Sequence, residues 1–177
     1  MMVNQIFMVI THDTFLRQSI SVLMKQLCCE NRTCFIDVDS FNSLGELNDI
    51  LYQLSKEDSI RTILISRGLW LSQVISSEID LSVYDDLYKW QYLITIAKPK
   101  SVSNVIEKIE YFKDLKGMSQ CEVKTIQSLK LSESIILAAK KSGVNYKNFL
   151  RRTHAIARRY NLKNTANLHF FIYRFNK

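Results

Sequence analysis

GVNYKNFLRRTHAIARRYNLKNTANL, from Gly143 to Leu168, is the stretch whose reading decides the fold. A turn glycine leads to Asn145 in an N-cap position, and about fifteen residues of helical pattern follow. Phe149, Thr153, Ile156 and Tyr160 recur at i, i+4, i+7 and i+11, so they share one side of that helix and are expected to face a core. Lys147, Arg151, His154 and Arg158 repeat the same spacing on another face, flanked by Arg152 and Arg159. No carboxylate occurs after Glu133, so these cations have no i, i+4 partners and repel one another unless an external anion binds. The competing reading is a solvated surface helix.

Outward from this stretch, charge divides the chain. Of its 177 residues, those up to Gly117 carry twelve Lys plus Arg against fifteen Asp plus Glu, and those from Met118 carry twelve against two. The second part is the one suited to a polyanion. With 47% hydrophobic residues, four Gly and one Pro, the sequence belongs to a folded and mostly regular protein. Cys28, Cys29, Cys34 and Cys121 follow no metal-ligand or disulfide spacing, and reduced, partly buried packing is expected of them. No cofactor or metal is expected. No signal-peptide pattern and no long apolar run are present, so a soluble, cytoplasmic protein with no membrane partner is expected.

Before the boundary, strands alternate with helices. Strands are predicted over Gln5–Ile10, Thr33–Val38, Ile60–Ile65 and Tyr92–Ala97. The first is a nearly continuous apolar run, expected to be buried on both faces. Helices are predicted through Phe15, Leu16, Ile20, Leu23 and Leu27, over Ser43–Leu54, briefly over Leu71–Ser77, and over Ser101–Phe112. This alternation implies a parallel α/β sheet. Residues 113–117 are polar and connect residues 1–112 to residues 118–177. After them, Ser119 with Glu122 forms a capping-box pattern, Ser134 opens a helix that stops at Gly143, and Asn164 caps a last helix through Leu168, Phe171 and Ile172. Four helices with a tight turn before the third make a helix-turn-helix unit.

Residues 118–172 resemble the LuxR-type DNA-binding domain. Met118, Ser119, Gln120, Cys121 and Glu122 stand in the register of its opening Leu-Ser/Thr-x-Arg-Glu. Gly143, Val144, Asn145, Tyr146, Lys147, Asn148 and Phe149 match its Gly-Ile-Ser-x-x-Thr-Val. Ile156, Arg159, Tyr160, Leu162 and Asn164 match its closing pattern. Asn148, Arg152 and Ser132 replace the family's Thr, His and Gly. The first part resembles a shortened, degenerate receiver domain. His12 and Asp13 stand at the acid pair, Ser66 at the phosphoacceptor Asp, and Lys98 with Pro99 at the Lys-Pro. With one acid and a hydroxyl, receiver phosphorylation is not expected. Asp13 then reads as a helix N-cap and Lys98 as a surface cation. The combination is similar to auxiliary LuxR-type regulators of enteric bacteria.

The resemblance implies that the helix opened by Tyr146 enters the major groove of double-stranded DNA. It sets Leu150, Arg151 and His154 against base edges, Lys147, Arg152, Arg158, Arg159 and Lys163 against phosphates, and Asn148 as a donor to the backbone. For His154 a merely solvated role is the alternative. The resemblance also implies pairing through Leu168, Phe171 and Ile172, in a homodimer or with a response regulator. A sequence-specific transcription regulator is one reading of the whole. A protein-interaction adaptor that modulates another regulator without touching DNA is the other. No enzyme is expected: glycine-rich phosphate loop, ligand spacing and nucleophile with base are all missing from the sequence, and Ser66 beside Arg67 reads as a strand end.

Overall fold

The computed structural model describes residues 7–27, 32–57, 60–96, 98, 101–113, 115 and 117–174. Gln5, Ile6, Cys28, Cys29, Ala97, Pro99, Asp114, Lys116 and Phe175, which entered the sequence reading, lie outside them. Among the described residues no helix is long and apolar enough to cross a membrane.

Four parallel strands, β1 (Phe7–Ile10), β2 (Thr33–Asp37), β3 (Arg61–Ser66) and β4 (Leu81–Ser82), pair in that order. Phe35 lies opposite Val9 on one side and Ile63 on the other, and Ile65 lies opposite Leu81. β2 is buried along its whole length, as a central apolar strand should be. β1 is an edge strand with Met8 exposed, which corrects the expectation of burial on both faces. A receiver's flavodoxin-like order would set β1 between β2 and β3. Here β2 takes that place, a pairing that the apolar runs alone could not have specified.

Side-chain alternation divides the core between the two faces. Phe35, Ile63 and Ile65 meet Ile20, Leu23 and Met24 of α1 (Thr14–Leu27), together with Trp90 and Ile94 of α4 (Leu87–Thr95). Cys34, Ile36 and Leu64 meet Leu44, Leu47 and Leu51 of α2 (Leu44–Leu54), with α3 (Trp70–Val74) and α5 (Val102–Lys113) completing that layer. Because the strands advance in one direction while α1 and α2 lie on opposite faces, the two crossovers have opposite hands, where right-handed ones are the rule.

α4 is a correction. The run from Tyr92 read as a strand belongs to a helix that Asp86 opens by accepting from the Lys89 amide at 2.8 Å. The Arg61 guanidinium donates to the carbonyls of Leu93 and Ile94 at its other end, where a cation suits the helix dipole. Only Trp90 and Ile94, four apart, are buried, which is helical spacing. The chain then passes to α5, and no fifth strand is present among the described residues, in keeping with a shortened sheet.

The second part is α6 (Gln120–Lys130), α7 (Ile135–Ser142), α8 (Tyr146–Arg159) and α9 (Thr165–Arg174). Its core is not separate. Val105, Ile109 and Phe112 of α5, Ile126 and Leu129 of α6, and Tyr160, Leu168 and Phe171 belong to the same apolar cluster as α2 and α3. Charge therefore changes sign across residues 113–117, but packing is continuous across them. Cys34 is buried, which pushes its thiol up to about 12. Cys121 is exposed, against the expectation of packing.

Candidate nucleic-acid interface

The local chemistry of residues 119–168 sets each helix end. The Ser119 hydroxyl accepts from the Glu122 amide, and the Glu122 carboxylate accepts from the Ser119 amide at 2.8 Å, which closes a capping box on α6. The Ser119 amide first, and then the Ser119 hydroxyl, which also donates to the Glu122 carboxylate at 2.8 Å, hold Glu122 below its ordinary range. Ser134 caps α7 by accepting from the Leu137 amide. Gly143 ends α7 at φ +66°, in the left-handed region that glycine enters at no steric cost. Asn145 then caps α8 by accepting from the Lys147 amide at 2.9 Å. Three residues thus turn the chain from one helix into the next.

α8 ends in a Schellman motif: the Leu162 amide donates to the Ala157 carbonyl at 2.8 Å and the Asn161 amide to Arg158 at 3.1 Å. Asn161 supplies the required positive φ, 56°, and Leu162 is buried. Lys163 is thereby left exposed beyond the helix, and Asn164 caps α9 by accepting from the Asn167 amide.

The inward face of α8 is as the spacing predicts. Phe149, Thr153, Ile156 and Tyr160 are all buried, and the small Ala138 and Ala139 let α7 approach closely. The Thr153 hydroxyl donates to the Leu150 carbonyl at 2.8 Å rather than remaining unsatisfied. On the outward face Tyr146, Lys147, Asn148, Arg151, His154 and Arg158 are exposed, while Leu150 and Arg152 are half-buried. None of Lys147, Arg151, Arg152, Arg158 and Lys163 has an ion-pair partner among the described residues. This face can exchange counterions for phosphates without first breaking protein ion pairs.

Two groups of predicted site residues are placed elsewhere. Arg159 turns away from the cationic face: its guanidinium donates to the Gly117 carbonyl at 2.8 Å and the Tyr111 hydroxyl at 3.2 Å, with Glu122 at 3.9 Å. It joins α8 to the end of α5 and is not disposed as a phosphate contact. The sequence held one sign of this, Gly117, whose φ is +72° and whose added Cβ would meet the Arg159 guanidinium at 2.9 Å.

Leu168, Phe171 and Ile172, expected at a dimer contact, are all buried within the chain itself. Phe171 packs against Tyr160 and against Trp70 of α3. Phe170, also against Trp70, and Tyr173 are the half-exposed aromatics of α9. The correction has a simple cause: α9 lays its apolar side against α6 and α8, and α3 of the first part covers a further portion through Trp70.

The positions compared above with a receiver's acids lie among more acid than the sequence register showed. Because β2 lies beside β1, Asp37 and Asp39 join Asp13 at the carboxyl ends of the strands. Arg67 answers them. Its guanidinium contacts Asp37 at 2.5 Å and Asp13 at 3.0 Å, and its amide donates to Asp39 at 2.8 Å. Thr11 and Ser40 also donate to Asp37, each at 2.7 Å. Hydrogen bonds from the amides of Leu16 and Phe15, followed by the charge of Arg67, hold Asp13 below its ordinary value, and the first two make it the N-cap of α1. The Ser66 hydroxyl is buried and donates to Ser72 at 2.7 Å. Lys98 is exposed, as expected of a surface cation. Among the described residues no group of His, Cys, Asp and Glu is placed to hold a metal ion. A D-x-D at a strand end was the available signal for this cluster.

No known family model matches the chain, and no curated protein resembles it closely enough to count as a relative.

Proposed function

We propose that this chain is a sequence-specific DNA-binding transcription regulator of the cytoplasm, acting as a dimer or beside a response regulator and not through receiver phosphorylation. One observation carries the reading. α8 is held from behind by Phe149, Thr153 and Ile156 and presents Lys147, Arg151, His154 and Arg158 outward with no acid beside them. A two-faced helix following a three-residue turn is the arrangement that inserts into a major groove. Arg151, exposed in the first half of the helix, suits bidentate contact with guanine, and Leu150 suits a thymine methyl. Lys147, Arg152, Arg158 and Lys163 suit phosphates, and Asn148 suits the backbone as a neutral donor.

The reading also gives the acid cluster a structural role. Asp13, Asp39 and the Oδ2 oxygen of Asp37 are bonded to Arg67, hydroxyls and amides, which supports an end of the sheet that is tied down rather than switched; the buried Asp37 Oδ1 has no hydrogen-bond partner among the described residues.

Selection of bound sites from random duplex DNA by the full chain, at two salt concentrations, tests this reading. Enrichment of a defined site that the Arg151→Ala variant loses supports it. An absence of salt-dependent DNA affinity overturns it in favour of the protein-interaction adaptor.

A further inference from the structure

With Leu168, Phe171 and Ile172 buried, pairing requires another surface, and α4 carries one. Trp90 and Ile94 fix which side of α4 faces the sheet. At about 100° per residue, Tyr92 lies about 200° from Trp90 and points directly into solvent. Tyr88 and Ile96, at i−4 and i+4 from it, extend the same stripe, and Tyr84 precedes it in the turn before the helix. Tyr84 and Tyr88 are each 83% exposed, Ile96 70% and Tyr92 58%. At about 200 Å² per side chain they leave on the order of 600 Å² of largely apolar surface in water. A standard interface uses about 800 Å² per partner.

We infer that the Tyr88–Tyr92–Ile96 stripe of α4 is the contact between two copies of this chain, with a two-fold axis passing beside Tyr92. Antiparallel pairing of α4 with its copy places Tyr92 against Tyr92 and Tyr88 against Ile96. The same register brings Asp86, at the head of one helix, toward Lys98, beyond the end of the other. Both are exposed. Asp86 spends one carboxylate oxygen on the Lys89 amide, and Lys89 itself is taken by Asp85 at 2.7 Å, so no cation of α4 opposes the contact. Stripe and charges thus share one centre, residue 92, as a self-complementary surface must. Antiparallel helices also oppose their dipoles favourably.

Sedimentation equilibrium of the full chain without DNA tests this, and its result is separate from that of the DNA-binding reading. The wild type is expected to dimerise. Tyr92→Glu and Tyr92→Lys each place like charges face to face across the axis, which costs several kcal/mol, so each weakens pairing at least about a hundredfold. Mixed in equal amounts they pair again, because residue 92 of one copy meets residue 92 of the other. Unchanged helix content by circular dichroism establishes that both variants fold. A wild type monomeric up to about 100 µM overturns the inference, that range being ample for a weak dimer. So does a dimer that either charge leaves intact, or a mixture that fails to pair.

Discussion

The indole of Trp70 stands edge-on to the ring of Phe171, with centroids 5.7 Å apart and planes inclined at 66°. One residue belongs to α3, packed on the sheet, and the other to the last helix of the cationic part. Phe170 meets the same indole from 5.5 Å. α3 and α9 thus meet at this contact, and α5 and α8 meet where Phe112 packs against Tyr160.

Trp70→Ala is therefore expected to loosen the two parts from each other. Truncating a well-packed Trp costs about 3–5 kcal/mol, and the partial exposure of Trp70 points to the lower end of that range. In the variant Trp90 is the remaining tryptophan, and it reports the sheet. Urea unfolding followed by Trp90 fluorescence and by far-ultraviolet circular dichroism should give two separate midpoints, where the wild type gives coincident ones. Coincident curves in the variant would show that the coupling runs elsewhere.

Arg158 and Arg159 are neighbours in sequence with different tasks. Arg158→Ala should weaken binding to all DNA sequences alike and reduce the slope of log affinity against log salt by about 0.9, the loss of one phosphate contact. Arg159→Ala should leave that slope unchanged and lower the unfolding midpoint, since the side chain is bonded to Gly117 and Tyr111. Gly117→Ala should resemble it in stability, costing about 1–2 kcal/mol for a Cβ at positive φ. Fluorescence-anisotropy salt titrations beside denaturation curves separate the two residues.

What was legible in the sequence was local. Ser119, Ser134, Asn145 and Asn164 announced their helices, and the spacing of Phe149, Thr153, Ile156 and Tyr160 named the buried side of α8 correctly. Tyr92 to Ala97 misled because a short apolar run suits a buried strand and a half-buried helix equally. Asp86, a cap, was the sign that would have decided it. Strand order depends on partners 16 to 28 positions away, the turning of Arg159 on residues 42 and 48 positions away, and the contact of Phe171 with Trp70 on one 101 positions away. No periodicity records such partners.

The capping box of α6 should make stability acid-sensitive in a defined direction. Glu122 is depressed in the folded state, so its contribution is complete above the ordinary value of 4.5 and is lost as pH falls through the lower folded value. Glu122→Gln can still accept from the Ser119 amide but has no charge to lose. Asp13 and Asp85 are depressed as well and remain in both proteins. The stability difference between wild type and Glu122→Gln should therefore be constant near neutrality and shrink toward pH 3. Thermal midpoints across that range measure it, and a gap that widens in acid would contradict the assignment.

Arg67 supplies the last test, because it decides whether the acids at the strand ends can switch anything. Asp37 is almost fully buried, and its carboxylate depends on Arg67, Thr11 and Ser40. Removing the cation leaves a buried charge with two hydroxyl donors, a loss of about 3–5 kcal/mol for a broken buried pair. Arg67→Lys should recover only part of it, since a single ammonium cannot reach Asp13 and Asp37 with the planar fork of a guanidinium. Asp37→Asn combined with Arg67→Met should recover more, because the buried charge and its counterion then disappear together. In the wild type the guanidinium already stands among the acids, so millimolar Mg²⁺ should leave the thermal midpoint unchanged. A midpoint that rises with Mg²⁺ would mean that these carboxylates still gather a cation as a receiver's do.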